Sequence, residues 1–138
     1  MKPAAVRDRP CTGANFLVSL GSGDARTASA GFSEVIFPTF TTEAEQSAAA
    51  PVQSLVLKRG VSGGLDLYAW WDKARRGKAP QRRTVKVELL AEDQRTVVLT
   101  WRFFNTRPLS LAYSPLNALE GGVVIETLEL AFERMEMA

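Results

Sequence analysis

The sequence contains no histidine and a single cysteine, Cys11. The missing histidine removes the commonest general base and the commonest metal ligand of proteins. A single cysteine excludes a disulfide within the chain, which is compatible with assembly in a reducing cytoplasm. A lone cysteine in a polar N-terminal stretch without any histidine is more often inert than catalytic.

Long apolar runs and known catalytic motifs are missing as well. No apolar stretch approaches the ~20 residues that a membrane-spanning helix needs, and the N-terminus shows no hydrophobic signal segment. The glycine-rich turn at 21–24 is not followed by the lysine and helix of a phosphate-binding loop. Glu126 and Glu129 lie three apart in a predicted strand, on opposite faces. The sequence therefore predicts no enzyme, no cofactor and no metal site.

The charges of the chain are separated along the sequence. The length of 138 residues is typical of one domain, and the net charge of +2 is too small to indicate nucleic-acid binding by itself. Basic residues cluster between Asp72 and Glu88: Lys73, Arg75, Arg76, Lys78, Arg82, Arg83 and Lys86. Aromatic residues do not interleave with them as single-strand stacking would require, so no specific nucleic-acid binding is expected. Acidic residues dominate after Leu119: Glu120, Glu126, Glu129, Glu133 and Glu136.

The stretch from Ser54 to Gly77 organises the rest of the chain, because it holds the one clear helical pattern. The spacing predicts a helix over 65–76 with an apolar stripe of Leu67, Trp70, Trp71 and Ala74. Asp66 in the first turn suits the helix dipole, and Gly77 supplies a terminating residue. Burial of both tryptophans is expected to contribute several kcal/mol.

Alternating apolar residues predict strands on both sides of this helix. The predicted strands are Asn15 to Leu20, Ala30 to Phe40, Ser54 to Lys58, Arg82 to Leu90, Arg95 to Asn105, Leu109 to Tyr113 and Val123 to Phe132. Several are joined by short turns, and no strand–helix alternation is present. The predicted fold is mainly β, a β-sandwich or barrel of antiparallel strands with one packed α-helix.

The pattern LVLKRG, followed by a glycine-rich turn and LDLYAWW, resembles the tail tube proteins of contractile phage tails and related injection systems. Further matches lie in order along the chain: Phe16, Val18, Phe32, Glu34, Val35, Trp101, Asn105, Pro108, Ile125, Glu126, Thr127, Glu129 and Leu130. The resemblance spans about Asn15 to Glu136. It depends on the order and spacing of the motifs, since each is short.

This resemblance implies a single tail-tube-like domain over 1–138, with 1–13 as a flexible arm. In that family, hexameric rings stack into a hollow tube inside a contractile sheath, and some relatives lie at the tube ends as baseplate initiators or caps. The implied partners are further copies of the chain and the sheath and baseplate proteins of a phage virion or extracellular injection particle assembled in the cytoplasm. The loop TTEAEQSAAAPVQ is shorter and less charged than the family's usual extension there, which leaves a bulk or a specialised tube protein open. A stand-alone β-barrel binding module is the alternative outside this class.

The separated charges suggest surfaces for such an assembly. A basic and an acidic surface on one chain can meet repeatedly, head to tail, between copies. The interface hypothesis places Arg75, Arg76, Arg82 or Arg83 against acidic residues near the last strand of another subunit: Glu126, Glu129 and Glu133.

Overall fold

A computed structural model describes residues 11–21, 31–42, 53–77 and 82–138. These residues form seven strands and one helix. The elements are β1 (Phe16–Ser19), β2 (Phe32–Ile36), β3 (Ser54–Gly60), α1 (Asp66–Arg75), β4 (Arg83–Leu90), β5 (Val97–Tyr113), β6 (Ile125–Ala131) and β7 (Arg134–Met137). The predicted mainly-β class with one helix is confirmed. Most of the expected arm and of the loop at 41–51 lie outside the described residues.

All strand pairs are antiparallel. The strand order is β1-β4-β5-β6-β3-β2, and β7 also pairs with β5. Within the described ranges β1 and β2 end this order without pairing to each other. The sheet is therefore not closed.

The chain divides into two compact units. Unit 1 comprises residues 1–31, 82–106 and 133–138, and unit 2 comprises residues 32–81 and 107–132. Strand β5 supplies its first part, 97–106, to unit 1 and its second part, 107–113, to unit 2.

The core of unit 1 follows the predicted two-residue alternation. Its most buried side chains include Val18, Leu20, Val85, Val87 and Phe103. The alternation fails at the end of β4, where the pairing with β5 shifts register between Leu89 and Leu90. Leu90 is consequently buried, whereas Leu89, two residues beyond the buried Val87, is only half-buried.

The core of unit 2 lies where β3, β6 and α1 each present apolar side chains. The fully buried ones are Leu55, Leu57, Leu67, Trp70, Leu128 and Leu130. Trp71, predicted to be buried with Trp70, is half-buried and lies under the guanidinium of Arg75, 4.6 Å from its ring centre. Gly77 follows the helix with φ +68° and donates to the Ala74 carbonyl, as its predicted terminating role requires.

Strand β5 is longer than the pattern predicted. It runs unbroken for 17 residues, although the sequence predicted two strands separated near Asn105 and Pro108. Asn105 adopts φ 54° within the strand, and the pairing with β6 shifts register between Pro108 and Ser110. A proline without an N–H is tolerated at such an irregularity. The short strand β7 was not predicted, and it pairs Met135 with Phe103.

Candidate assembly interfaces

Arg75 and Arg76 project from the last turn of α1 and share one carboxylate. Arg75 Nε lies 2.6 Å from Asp72 Oδ1, and Arg76 Nε lies 3.0 Å from Asp72 Oδ2. The hydrogen bond from Arg75 lowers the pKa of Asp72, and the charges of both arginines act in the same direction. More than half of each arginine side chain remains exposed. The helix therefore displays two ordered guanidinium groups at its surface.

Arg82 and Glu133 were predicted to meet between subunits, and in unit 1 they form an ion pair within one chain. Arg82 Nη1 lies 2.5 Å from Glu133 Oε1, and Asn105 Nδ2 donates to Glu133 Oε2 at 2.8 Å. Both charged side chains stay about half exposed. Next to this pair, the buried hydroxyl of Thr106 donates to the Arg83 carbonyl at 2.7 Å. Arg83 itself is half-buried in β4.

Glu129 and Glu126 lie on opposite faces of β6, as the strand period predicted. Glu129 is half-buried and accepts a hydrogen bond from Ser110 Oγ at 3.1 Å. Glu126 was proposed for the subunit interface, but it is buried together with Leu128 and Leu130. This placement removes Glu126 from the accessible surface, because its face of the strand points into the core of unit 2.

Glu126 belongs instead to an ion triad centred on Arg59 of β3, in which Arg59 and Glu126 are buried and Asp66 is partly exposed. Arg59 Nε donates to Glu126 Oε1 at 2.5 Å. Arg59 also binds both carboxylate oxygens of Asp66, in the first turn of α1, with Nη1 lying 3.2 Å from Oδ2. The guanidinium carbon lies 5.4 Å from the ring centre of Phe32 in β2. One side chain thus joins β3 to β6, to the helix and to β2.

The triad orients elements of unit 2 and offers no reactive group. Burial would raise the pKa of Asp66, but the hydrogen bonds and charge of Arg59 outweigh it and leave that pKa below its ordinary value. A buried pair loses solvation about as much as it gains attraction, whereas removal of one partner leaves an uncompensated buried charge. The triad was not predicted from the sequence. The available signal was one charge on the apolar face of each of two strands, Arg59 following Leu55 and Leu57, and Glu126 preceding Leu128 and Leu130.

Each unit has strands whose outer backbone has no strand partner in the described ranges. In unit 2, β2 pairs only with β3, and residues 107–113 of β5 pair only with β6. In unit 1, β1 pairs only with β4, and β7 pairs only with β5. Such edges present unpaired N–H and C=O groups that can accept a strand from another chain.

Among the residues that the structure describes, no group of three or more acidic or cysteine side chains is placed to hold a metal ion. No helix in the described part of the chain is long and apolar enough to cross a membrane.

The fold and its open edges define a small β-rich subunit suited to assembly. Residues 12–136 match the family described as T4-like virus tail tube protein gp19. The chain therefore belongs to this tail tube family, and the resemblance predicted from its motifs is confirmed. Its function is that of a structural tube subunit.

Solved structures from contractile injection systems share the fold. The structure of an extracellular contractile injection system, the PVC sheath–tube complex in the extended state, matches with a TM-score of 0.76 at 17% identity, covering 95% of this chain and 93% of that one. The tube-terminating cap of the anti-feeding prophage matches with a TM-score of 0.76 at 19% identity, covering 99% and 95%. Hcp1 from Flavobacterium johnsoniae matches with a TM-score of 0.62 at 10% identity, covering 89% and 94%. No curated protein sequence matches the chain.

Proposed function

We propose that this tube subunit forms hexameric rings that stack into the inner tube of a contractile tail or injection particle. The observation that carries the proposal is the family match across 12–136, nearly the whole chain. In this proposal the chain assembles in the cytoplasm and contacts copies of itself, a sheath protein and a baseplate protein. Its role is structural and involves no catalysis.

The sheet of unit 2 supports ring formation through its two edges. Its strands lie in the order 107–113 of β5, β6, β3 and β2, and every neighbouring pair is antiparallel. Strand β2 therefore runs opposite to 107–113. A second copy in the same orientation can place its 107–113 edge beside β2 and continue the antiparallel pattern. We assign ring closure to this edge pairing, since a repeated head-to-tail contact closes when its rotation allows.

The charged surfaces supply the second part of the proposal. Arg75 and Arg76 at the end of α1, with Arg82 and Arg83 at the start of β4, face acidic residues of a neighbouring subunit. The accessible acidic partners are Glu129 and Glu133, since Glu126 is buried. The pair between Arg82 and Glu133 within one chain supports the choice of residues, because the same groups can exchange partners between copies at little cost when they are exposed.

Electron microscopy of the purified protein tests the assembly directly. Negatively stained rings or hollow tubes are the expected result, whereas a monomer that persists at high protein concentration would contradict the proposal.

The charged contacts are tested by Arg75→Glu with Arg76→Glu, for which we expect loss of assembly. The control is Lys73→Glu, which changes charge on the same helix outside the proposed set. Unchanged rings and tubes at both ordinary and raised salt would refute the charged part alone.

A position at one end of the tube is the second candidate. The PVC sheath/tube terminator structure matches with a TM-score of 0.76, the same value as the PVC sheath–tube complex. The fold thus fits either position. Antibody labelling of intact particles separates them, since a bulk subunit is labelled along the whole tube and an initiator or cap protein only at one end.

A further inference from the structure

One end of the unit 2 sheet carries large apolar side chains that this fold leaves exposed. The connection between β5 and β6 presents Leu116, Leu119 and Val123, which are 84%, 97% and 76% exposed. Val61 and Leu65, which follow β3, are 44% and 71% exposed. We call these five residues the loop end. Contiguous exposed apolar surface of this kind marks interaction sites on soluble proteins.

Hydrogen bonds hold the loop end in a defined shape. The Asn117 side chain accepts from the backbone N–H of Leu119 at 2.9 Å and of Glu120 at 3.3 Å. The Asn117 carbonyl also accepts from Gly121 N at 3.1 Å. At the base of the connection, Ile125 N donates to Ser114 Oγ at 2.8 Å. The apolar side chains are therefore displayed by an ordered turn.

Strand register and a backbone hydrogen bond place Val61, which follows β3, beside Val123 and Val124 in the connection before β6. Gly60 at the end of β3 lies opposite Ile125 at the start of β6, and Val61 N donates to the Val124 carbonyl at 2.9 Å. A β-carbon added at Gly60 would contact Val123. The end of β3 and the connection before β6 thus form one surface.

A second apolar surface lies at the opposite end of the same sheet. Strand β2 runs antiparallel to β3, with Phe32 opposite Arg59 and Ile36 opposite Val56. Ile36 is therefore the residue of β2 farthest from the loop end, and Phe37 and Phe40 follow it; the three are 41%, 37% and 40% exposed. We call these three residues the β2 end. The length of β3 separates the two ends by about 20 Å, at ~3.3 Å per residue.

Exposed charges of opposite sign accompany the two ends. Glu120 lies in the connection of the loop end and is exposed. Arg107 lies opposite Ala131 in the pairing of β5 with β6, and Ala131 lies opposite Ser54 at the start of β3. This register places the exposed Arg107 at the same end of the sheet as the β2 end.

We propose that the loop end of one copy packs against the β2 end of a copy in the next ring, and that this contact stacks the rings. The inference rests on the proposed tube function. The occupant is a second copy, since one chain carries both surfaces, at opposite ends of its strands and with opposite exposed charges. The lateral edges of the sheet remain available for ring closure. A contact between two different surfaces of identical subunits repeats without closing, which gives an open filament.

Serine substitutions at each end test the contact. Leu116→Ser with Leu119→Ser changes exposed side chains and leaves the core intact, and Phe37→Ser, just beyond the ring-closing strand β2, changes the opposite surface. Circular dichroism checks that each variant is folded. Negative-stain electron microscopy is expected to show single rings and a loss of tubes for both variants, whereas Leu17→Ser, an exposed apolar change in unit 1, leaves tubes unchanged.

Mixing the two variants gives the sharpest outcome. Rings with an altered loop end keep an intact β2 end, and the other rings keep an intact loop end. The mixture is therefore expected to form stacks of two rings that grow no further. The inference would be overturned if either variant formed tubes of wild-type length. It would also be overturned if the loop-end variant were folded but formed no rings. Both outcomes would leave the proposed function standing. A wild-type protein that stays monomeric would overturn both.

Charge exchange provides an independent readout. Arg107→Glu and Glu120→Arg are each expected to shorten tubes, and the two together to restore their length. Failure of the double variant to recover from shortened tubes would contradict the proposed pairing of the ends.

Discussion

The two units are stabilised by different kinds of buried polar groups. Among the described residues, the buried charged side chains are Arg59 and Glu126, both in unit 2. The buried polar side chains of unit 1 are the uncharged Thr100 and Thr106. Ionic contacts in unit 2 link the helix to two strands, whereas the described residues of unit 1 include no buried charged side chain. The unit that contains the helix is thus the one whose interior includes charged side chains.

The exposed apolar residues are distributed just as unevenly. Unit 1 exposes Leu17 and Met137, and unit 2 exposes apolar residues at both ends of its sheet. Unit 2 therefore contains both the buried charged side chains and the exposed apolar surfaces proposed for contact with other copies. Substitutions in each unit can test this contrast.

The largest expected effect is at Trp70 in unit 2. Trp70 is 1% exposed, so Trp70→Ala is expected to lower the free energy of unfolding by about 3–5 kcal/mol. Trp71→Ala is the matched control on the same helix and should cost clearly less, because Trp71 is half-buried. Urea denaturation followed by circular dichroism measures both, and equal losses would show that the helix buries both rings.

Removal of Arg59 is expected to be nearly as severe. Arg59→Met leaves Glu126 and Asp66 without their cation, and an uncompensated buried charge costs about 3 kcal/mol or more. The control is Glu34→Gln, which removes the exposed pair with Lys58 and should cost less than about 1 kcal/mol. Adding Glu126→Leu to Arg59→Met should recover part of the loss in urea denaturation. If Arg59→Met lowered the free energy of unfolding only slightly, the buried charges of unit 2 would not distinguish its stability from that of unit 1.

Gly21 tests the backbone packing of unit 1. Gly21 has φ +63°, and a β-carbon there would overlap the Thr84 carbonyl oxygen. Gly31 has φ +65° with open space around it. Both glycine-to-alanine variants carry the left-handed backbone cost of about 1–2 kcal/mol, and only Gly21→Ala adds the clash. Thermal denaturation should therefore rank Gly21→Ala below Gly31→Ala, and the reverse order would contradict the close approach.

The smallest effect is expected at Asp93, in the turn between β4 and β5. Hydrogen bonds from the Thr96 hydroxyl and backbone, and then from the Arg95 N–H, lower the pKa of Asp93 from 3.8 to about 2. The folded-state pKa lies below the ordinary value, so the stabilisation is complete above pH 3.8 and is lost as pH falls through about 2. Asp93→Asn should lower the melting temperature at pH 7, and the difference from wild type should narrow toward pH 2.

Thr96 gives the control for this turn. Thr96→Ser keeps the hydroxyl that donates to Asp93 Oδ2 at 2.6 Å, and it should retain the pH dependence. Thr96→Val removes that donor and should weaken the pH dependence of the melting temperature. A difference between wild type and Asp93→Asn that stays constant from pH 7 to pH 2 would show that the carboxylate does not stabilise the turn.

The fold was predictable where local pattern and tertiary packing agree. Strand β3 alternates cleanly, β4 alternates as far as Val87, and α1 has both its apolar stripe and its terminating glycine. The pattern failed at β5, because Asn105 and Pro108 usually end strands and are accommodated here by a left-handed residue and a register shift. It also failed at β7, whose residues RMEM alternate too briefly to indicate a strand.

The candidate interfaces were predictable only in part. Exposed arginines at the end of a helix follow from composition and position, and Arg75 and Arg76 lie where the sequence placed them. The burial of Glu126 could not be derived from charge alone, since its partner Arg59 lies 67 residues away in the chain. Strand register determines which exposed apolar residues lie at the same end of the unit 2 sheet, and that register could not be predicted from the sequence.

The open edges of unit 2 also determine how a free subunit behaves before it meets other copies. The outer side of β2 and the 107–113 part of β5 offer unpaired backbone to any extended chain, including a misfolded one. In the proposed ring, each added subunit withdraws two such edges from solution. The proposed ring assembly would therefore protect the chain against aggregation, provided that growing rings take up subunits as fast as they are synthesised.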